Sequence, residues 1–286
     1  MKRVTILPLL GFLLVSVSLY ASPKQRVTLS DNAALRYWAA FSEMQDSAIT
    51  SDQADQLKLI LAGTAPYQDD AYKELLKRNA PALEVMARGT KLADCDWGLD
   101  YGLRDQTPVE YVRKALELGR LNVLYAFHLS LNGDKAGSAR TLAAGIRFSH
   151  DVANGGSLFA TVVAKSVLVN HFRAIEGLLQ LKGISSSDAA ELRQALSQLG
   201  PSGLDWQEAI DRELEVISQP EWKGPMQHIR QAYVAAFADP SKLPGLQETI
   251  ANAPTGLRDL MPSPKVVLEQ KQDLTEQLQR VRQALR

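Results

Sequence analysis

Apolar positions recur every three or four residues along most of the chain, the period of an amphipathic helix. A first helix is predicted from a cap at Ser30 or Asp31 to about Ile49, with Leu35, Trp38, Phe41 and Met44 on one face. A second opens at Ser51 or Asp52, carries Leu57, Ile60 and Leu61, and stops at Gly63. A third starts near Asp69 and carries Tyr72, Leu75, Leu76, Leu83, Val85 and Met86, with a kink or break expected before Pro81. Residues 89–107 have no period and form the longest predicted loop. Thr107-Pro108-Val109-Glu110 then reads as a capping box with proline at the first helical position, opening a helix to about Leu131.

Asn132-Gly133-Asp134 turns the chain into a helix rich in small residues, which runs to about Ala153. Asn154-Gly155-Gly156-Ser157 turns it again into a helix over 158–181. That helix is apolar nearly all round in its first three turns, so it is expected at the buried centre. Short connections make these three helices antiparallel neighbours in sequence order. Shorter helices follow: from a Ser187-Asp188 cap to about Leu199, from about Asp205 to Ser218, from Pro225 to Ala238, and from near 243. The last, Lys265 to Leu285, places Leu274, Leu278, Val281 and Leu285 on one face as a terminal amphipathic cap.

Composition agrees with the pattern. Leu (42) and Ala (35) far outnumber Val (18), Ile (10) and Thr (11), so good helix formers dominate. The expected fold is all-α: antiparallel helical hairpins, as a TPR-like α-solenoid or an irregular helical bundle. The chain divides into 1–21, an N-terminal helical region 22–106 that holds the loop, a central hairpin core 107–200, and a C-terminal region 201–286 punctuated by prolines. With 32 basic and 32 acidic residues among 286, there is no basic surplus to neutralise phosphates, so no nucleic-acid partner is expected.

Residues 1–21 carry the pattern of a secretory signal peptide: Lys2 and Arg3, an apolar run over 4–20, and Ala21 before the cut. Export to the periplasm or beyond is expected. An uncleaved N-terminal anchor over 4–20 is the rival reading, because that run reaches the lower limit for a spanning helix. No second segment is expected to approach membrane-spanning length. Cys95 is the one cysteine, so no internal disulfide forms; it reads as a buried residue beside Trp97 rather than a reactive thiol.

The region 107–182 has small residues inside its helices, an Asn-Gly-Asp turn and Ala-x-x-Ala on the helix after it, and so resembles tetratricopeptide-like helical hairpins. With Cys95-Asp96-Trp97-Gly98 ahead of it, it is similar to uncharacterised exported bacterial helical proteins. The resemblance implies stacked hairpins with a concave face, and brings no activity with it.

No His-Glu-x-x-His, Glu-x-x-His or paired-cysteine motif occurs, so neither a metal nor any other cofactor is expected. His128, His150 and His171 lie on successive helices, but antiparallel packing puts the first two at opposite ends. Gly-x-Ser-x-Gly and Ser-x-x-Lys are absent. Gly155-Gly156-Ser157 has the chemistry of an anion cradle at a helix N-terminus and, equally, of two helix caps. Lys165 lies among apolar residues and is expected to snorkel to the surface.

One cluster remains. Asp94, Asp96, Asp100 and Asp105 crowd a single loop with Trp97 and Tyr101. Paired acids beside aromatic rings suit sugar binding or acid–base hydrolysis, and suit turns and core packing as well. The leading expectation is an exported, non-catalytic interaction or scaffold module whose partner is another envelope protein. The alternative is an exported hydrolase or small-ligand binder using Asp94, Asp96, Trp97, Asp100 and Tyr101.

Overall fold

The computed structural model describes residues 31–45, 50–101, 103, 110–185 and 187–286. The signal-like segment, Ser30, Ile49, Asp105 and the Thr107–Val109 part of the capping box lie outside them. The described chain is all-α, with twelve α-helices. Its one strand-like feature is an isolated parallel bridge between Asn32 and Asp94.

The centre is a three-helix unit: α4 (Tyr111–Leu131), α5 (Lys135–Ala153) and α6 (Leu158–Gln180). Side-chain bonds set the register. Ser138 Oγ donates to the Ala126 carbonyl (2.8 Å), so α5 runs back along α4. Ser130 Oγ donates to the Gly183 carbonyl (3.0 Å) just past α6, which runs parallel to α4. Small residues allow the close approach. A Cβ on Gly119 would collide with Val167, and one on Gly145 would collide with the His171 ring.

Helices α1 (Ala33–Glu43), α2 (Ser51–Leu61) and α3 (Asp69–Gly89) pack on this unit from one side. In α1 the buried face is Ala33, Ala34, Tyr37, Ala40, Phe41 and Met44, whereas Leu35 and Trp38 are exposed. The core-facing stripe is thus rotated from the expected one, because small alanines and Tyr37 meet α3 closely while the larger side chains stay outside. The cap is Asn32, whose side chain accepts from Ala34 N–H. Thr50 and Gln53 form a capping box at the start of α2. Helix α3 continues through Pro81 as one element, so the expected kink or break is not a break. Asn79, fully buried, spans that stretch: Nδ2 donates to the Leu75 carbonyl (2.9 Å) and Oδ1 accepts from Gln45 N–H (3.1 Å).

On the C-terminal side lie α7 (Ala189–Ser197), α8 (Trp206–Val216), α9 (Lys223–Ala238), α10 (Leu243–Ala251), α11 (Thr255–Arg258) and α12 (Pro264–Ala284). Asp188, of the expected Ser187-Asp188 cap, holds the N-cap position of α7, and reciprocal bonds between it and Ser185 close the entry to the helix. Leu274, Leu278, Val281 and Leu285 of α12 are all buried. Arg282 reaches the Leu196 and Leu199 carbonyls at the exposed end of α7 (2.8 and 2.9 Å), a favourable place for a cation at a helix C-terminus. One contiguous set of buried apolar side chains runs from Ala33 to Leu285.

Two expectations about α6 change. The helix is long and apolar enough to cross a membrane by length and composition, so a second such segment does exist. Most of its apolar window is buried against other helices, as in the core helix of a folded protein. Lys165 does not snorkel. It is 7% exposed, and its ammonium meets Asp273 (2.5 Å) and Gln270 Oε1 (2.6 Å) on α12. Helix α12 covers the stretch through which the lysine would have reached water, so burial is met by pairing.

Candidate functional site

The acidic–aromatic loop divides in two. Its backbone is tied to the start of α1: Ala33 N–H donates to the Asp94 carbonyl (2.8 Å), and the Asn32 amide bonds both the carbonyl and the N–H of Asp96 (2.7 and 2.9 Å). Asp96 Oδ1 then accepts from Gly98 N–H (2.9 Å), an Asx turn that Gly98 completes at φ 64°. This anchoring turns Trp97 inward. Its ring stacks on Tyr111 at 4.2 Å and also contacts Tyr37 and Phe41, and its Nε1 donates to the Asp151 carbonyl (2.7 Å).

Asp94, Asp96 and Asp100 remain exposed. Tyr101 is half-buried under the Arg212 guanidinium, 5.7 Å from its ring. Burial pushes the Tyr101 hydroxyl up to about 12 despite that cation. Cys95 is half-buried, its Sγ 3.6 Å from the Asp151 carbonyl. Burial and the Asp151 charge push its thiol well up, which disfavours the nucleophilic thiolate. The loop therefore brings Trp97 and Cys95 to the core and leaves its described acids at the surface.

The residue beneath this loop is Asp151, which no sequence motif singles out. It is fully buried and takes donors from three elements: α1, the 94–101 loop and α5 itself. Tyr37 Oη donates to Oδ2 (2.5 Å), and Arg147 Nε lies 3.0 Å from Oδ1 and 3.2 Å from Oδ2. Arg147 also donates to the Ala93 carbonyl (2.9 Å). Burial first, then the Asp151 charge, hold the Tyr37 hydroxyl well above its ordinary value, so it stays a donor. The only advance signal is the Arg147–Asp151 spacing of four on a core-facing helix stripe.

The histidines occupy separate surroundings. His128 Nδ1 bonds Asp69 at 2.6 Å. Burial works to raise the Asp69 carboxyl, but hydrogen bonds from His128 and Tyr67 outweigh it and hold it below its ordinary value. His150 sits beside Asp151 at 3.8 Å. His171 is fully buried, with Nδ1 2.8 Å from the Val167 carbonyl and Nε2 2.9 Å from the Asn122 amide. Among the described residues no group of three ligating side chains is placed to hold a metal. At the α6 N-terminus the Glu213 carboxylate accepts from Leu158 N–H (3.3 Å), so the Gly155-Gly156-Ser157 cradle has an anion from its own chain. Burial holds that Glu213 carboxyl above its ordinary value.

A broad concavity lies elsewhere. A groove of about 790 Å³ runs over α5, with α3 as one wall and α7 as the other. Gly137, Thr141, Ala143 and Ala144 form its floor, with Leu83 and Tyr125 beside them. Lys91, Arg140 and Glu191 stand at the rim, and no ion pair engages them among the described residues. None of the loop acids lines it. The small residues of α5 were legible in the sequence as close-packing positions. That some face an open groove depended on where α3 and α7 docked. Comparison with protein-family models, with curated proteins and with solved structures finds no match to this chain.

Proposed function

We propose that the protein is a non-catalytic interaction module of the cell envelope, and that its binding face is the groove of α3, α5 and α7. The observation that carries this is the groove's construction: a floor of small side chains at its centre, Ala80, Leu83 and Ala87 along the α3 wall, and rim charges of both signs that no ion pair engages among the described residues. Helix-in-groove recognition needs that layout, since a floor without bulk admits a helix and rim charges fix its register. The occupant that fits is an amphipathic helical segment of another envelope protein. The signal-like residues 1–21 support export, and the small-residue hairpins at 107–182 support a tetratricopeptide-like mode of display. The hydrolase reading has weaker support, because Asp94, Asp96 and Asp100 are exposed on a loop whose aromatic Trp97 is committed to the core.

Photo-crosslinking from position 194, on the α7 wall of the groove, in the native envelope tests the proposal. One partner, recovered in fixed ratio and lost on Ala144→Trp without loss of melting temperature, is the expected result. A folded Ala144→Trp protein that retains the partner overturns the groove assignment. A folded, monomeric protein with Ala144 intact that captures nothing from position 194 overturns the scaffold reading.

A further inference from the structure

A second cavity, of about 670 Å³, opens at the other end of the central unit from the Trp97 loop, where α4 and α6 finish beside the turn between α2 and α3. It shares no lining residue with the α5 groove. Phe127, Tyr67 and Leu178 give it an apolar interior, and its rim holds Leu131 and Leu181, which are 63% and 75% exposed. Large apolar side chains left this open mark a surface that binds something.

Three further features define the ligand. No aspartate or glutamate lines the cavity, yet Lys135 and Lys182 both do, and neither has an ion-pair partner among the described residues. Lys182 sits just past α6 at φ 54°, a left-handed position that glycine normally takes at a helix end. The backbone there closes the helix, with Gly183 N–H bonded to the Leu178 carbonyl (2.7 Å). Finally, Gly177 lies within α6 and lines the cavity, and a Cβ built on it would meet nothing within 4 Å. Glycine inside a helix costs about 1 kcal/mol against alanine. At Gly119 and Gly145 close packing explains that cost, whereas at Gly177 no neighbour demands it and the residue only keeps the space open.

We propose that this cavity binds a single-chain amphiphile with an anionic head, of the fatty-carboxylate type, the chain lying over Gly177 and Phe127 and the head between Lys135 and Lys182. The volume falls within the range of small-molecule sites. The carbonyl ends of α4 and α6 repel an anion, so the two ammonium groups must supply the selectivity.

The test is calorimetric titration of the full-length protein with dodecanoate and with dodecyltrimethylammonium, each below its micelle concentration. Dodecanoate binds one to one and at least tenfold tighter; the Lys135→Glu/Lys182→Glu double variant reverses the order. Gly177→Leu weakens dodecanoate binding at least tenfold with helical circular dichroism unchanged. Should that variant misfold, Ala65→Trp fills the same space from the loop side. Equal affinity for the two heads in the wild type, or unchanged dodecanoate affinity in either folded filling variant, overturns the proposal. So does binding to phosphatidylglycerol vesicles with no uptake of free dodecanoate, which would assign the patch to a membrane surface.

Discussion

The middle of the α4–α5–α6 unit and its α4/α6 C-terminal end are built from the same kinds of residue and behave in opposite ways. In the middle, Gly119 and Gly145 face Val167 and His171 so closely that no Cβ fits, and the buried His171 ring bonds the Asn122 amide and the Val167 carbonyl. At the end, Gly177 faces open space, two leucines stand exposed, and two lysines have no ion-pair partner among the described residues. Glycine in a helix therefore has two structural meanings, close approach and open space, and composition alone does not separate them. The first belongs to stability and the second to binding.

The sharpest way to probe the packed region is Asp151→Ala. It leaves Arg147 and Tyr37 without their buried acceptor and loosens α1, the 94–101 loop and α5 together. Removing one partner of a buried charged network costs about 3–5 kcal/mol, read as a drop in unfolding free energy by urea titration. A loss below about 1 kcal/mol would mean that water replaces the carboxylate, and that the region is not closed as described.

Gly145→Ala comes next. One methyl group must displace the His171 ring or the Asn122 amide, both fully packed. Overpacking of this kind costs about 1–3 kcal/mol. An unchanged melting temperature would show that α5 can slide, which the contrast with Gly177 forbids.

His171 adds a pH dependence to the same place. Burial lowers its pKa to about 4, against the Val167 carbonyl that favours the charged ring. The unfolded chain takes up the proton near pH 6.5, the folded one only near 4. The stabilising contribution is therefore complete above about pH 6.5 and is lost as pH falls toward 4, at up to about 1.4 kcal/mol per pH unit. Unfolding free energy measured at pH 7 and pH 5 should show the slope in the wild type and a shallower one in His171→Gln. Equal slopes would place the proton elsewhere.

How much of this was legible in the sequence follows from what sets each feature. Helix positions and the central three-helix unit come from local periodicity and turn residues such as Asn132-Gly133-Asp134, and the structure has them within a few residues. Local pattern misled at α1, where Trp38 and Leu35 outweigh alanine in any apolar count but lie outside. It also misled at Lys165, whose partners Asp273 and Gln270 are over a hundred residues away. The loop residues Asp94, Asp96, Trp97, Asp100 and Tyr101 were legible as a cluster; the division between buried Trp97 and exposed acids was not, because Asn32 and Asp151 impose it from a distance. Both cavities are gaps between elements, and no single stretch of sequence contains a gap.

The Lys165–Asp273 pair lies between the two extremes. The lysine is 9% exposed at its side chain and the aspartate 51%. Burial works to raise the Asp273 carboxyl, but hydrogen bonds from Lys165 and Gln277 and nearby positive charge hold it below its ordinary value. The two halves of the pair are therefore unequal. Asp273→Asn leaves a buried ammonium with Gln270 as its main acceptor, while Lys165→Met leaves a carboxylate that water can reach. The first should cost about 1 kcal/mol more than the second. The sign of the pH effect is fixed by the lowered Asp273 pKa: the pair's contribution is present above the usual carboxylate range and is lost in acid. Equal costs for the two variants would make the pair a surface contact.

The smallest effect is the most informative about the open end. Gly177→Ala adds a methyl group where nothing lies within 4 Å, on a helix that gains from losing glycine. Stability should rise by about 0.5–1 kcal/mol, the reverse of Gly145→Ala on the neighbouring helix. A protein selected for stability alone would carry alanine at this position. A rise in melting temperature, together with weaker dodecanoate binding, would show that the glycine is retained for the space it leaves. A fall would mean that Gly177 answers to packing after all, and the contrast between the two ends of the unit would lose its basis.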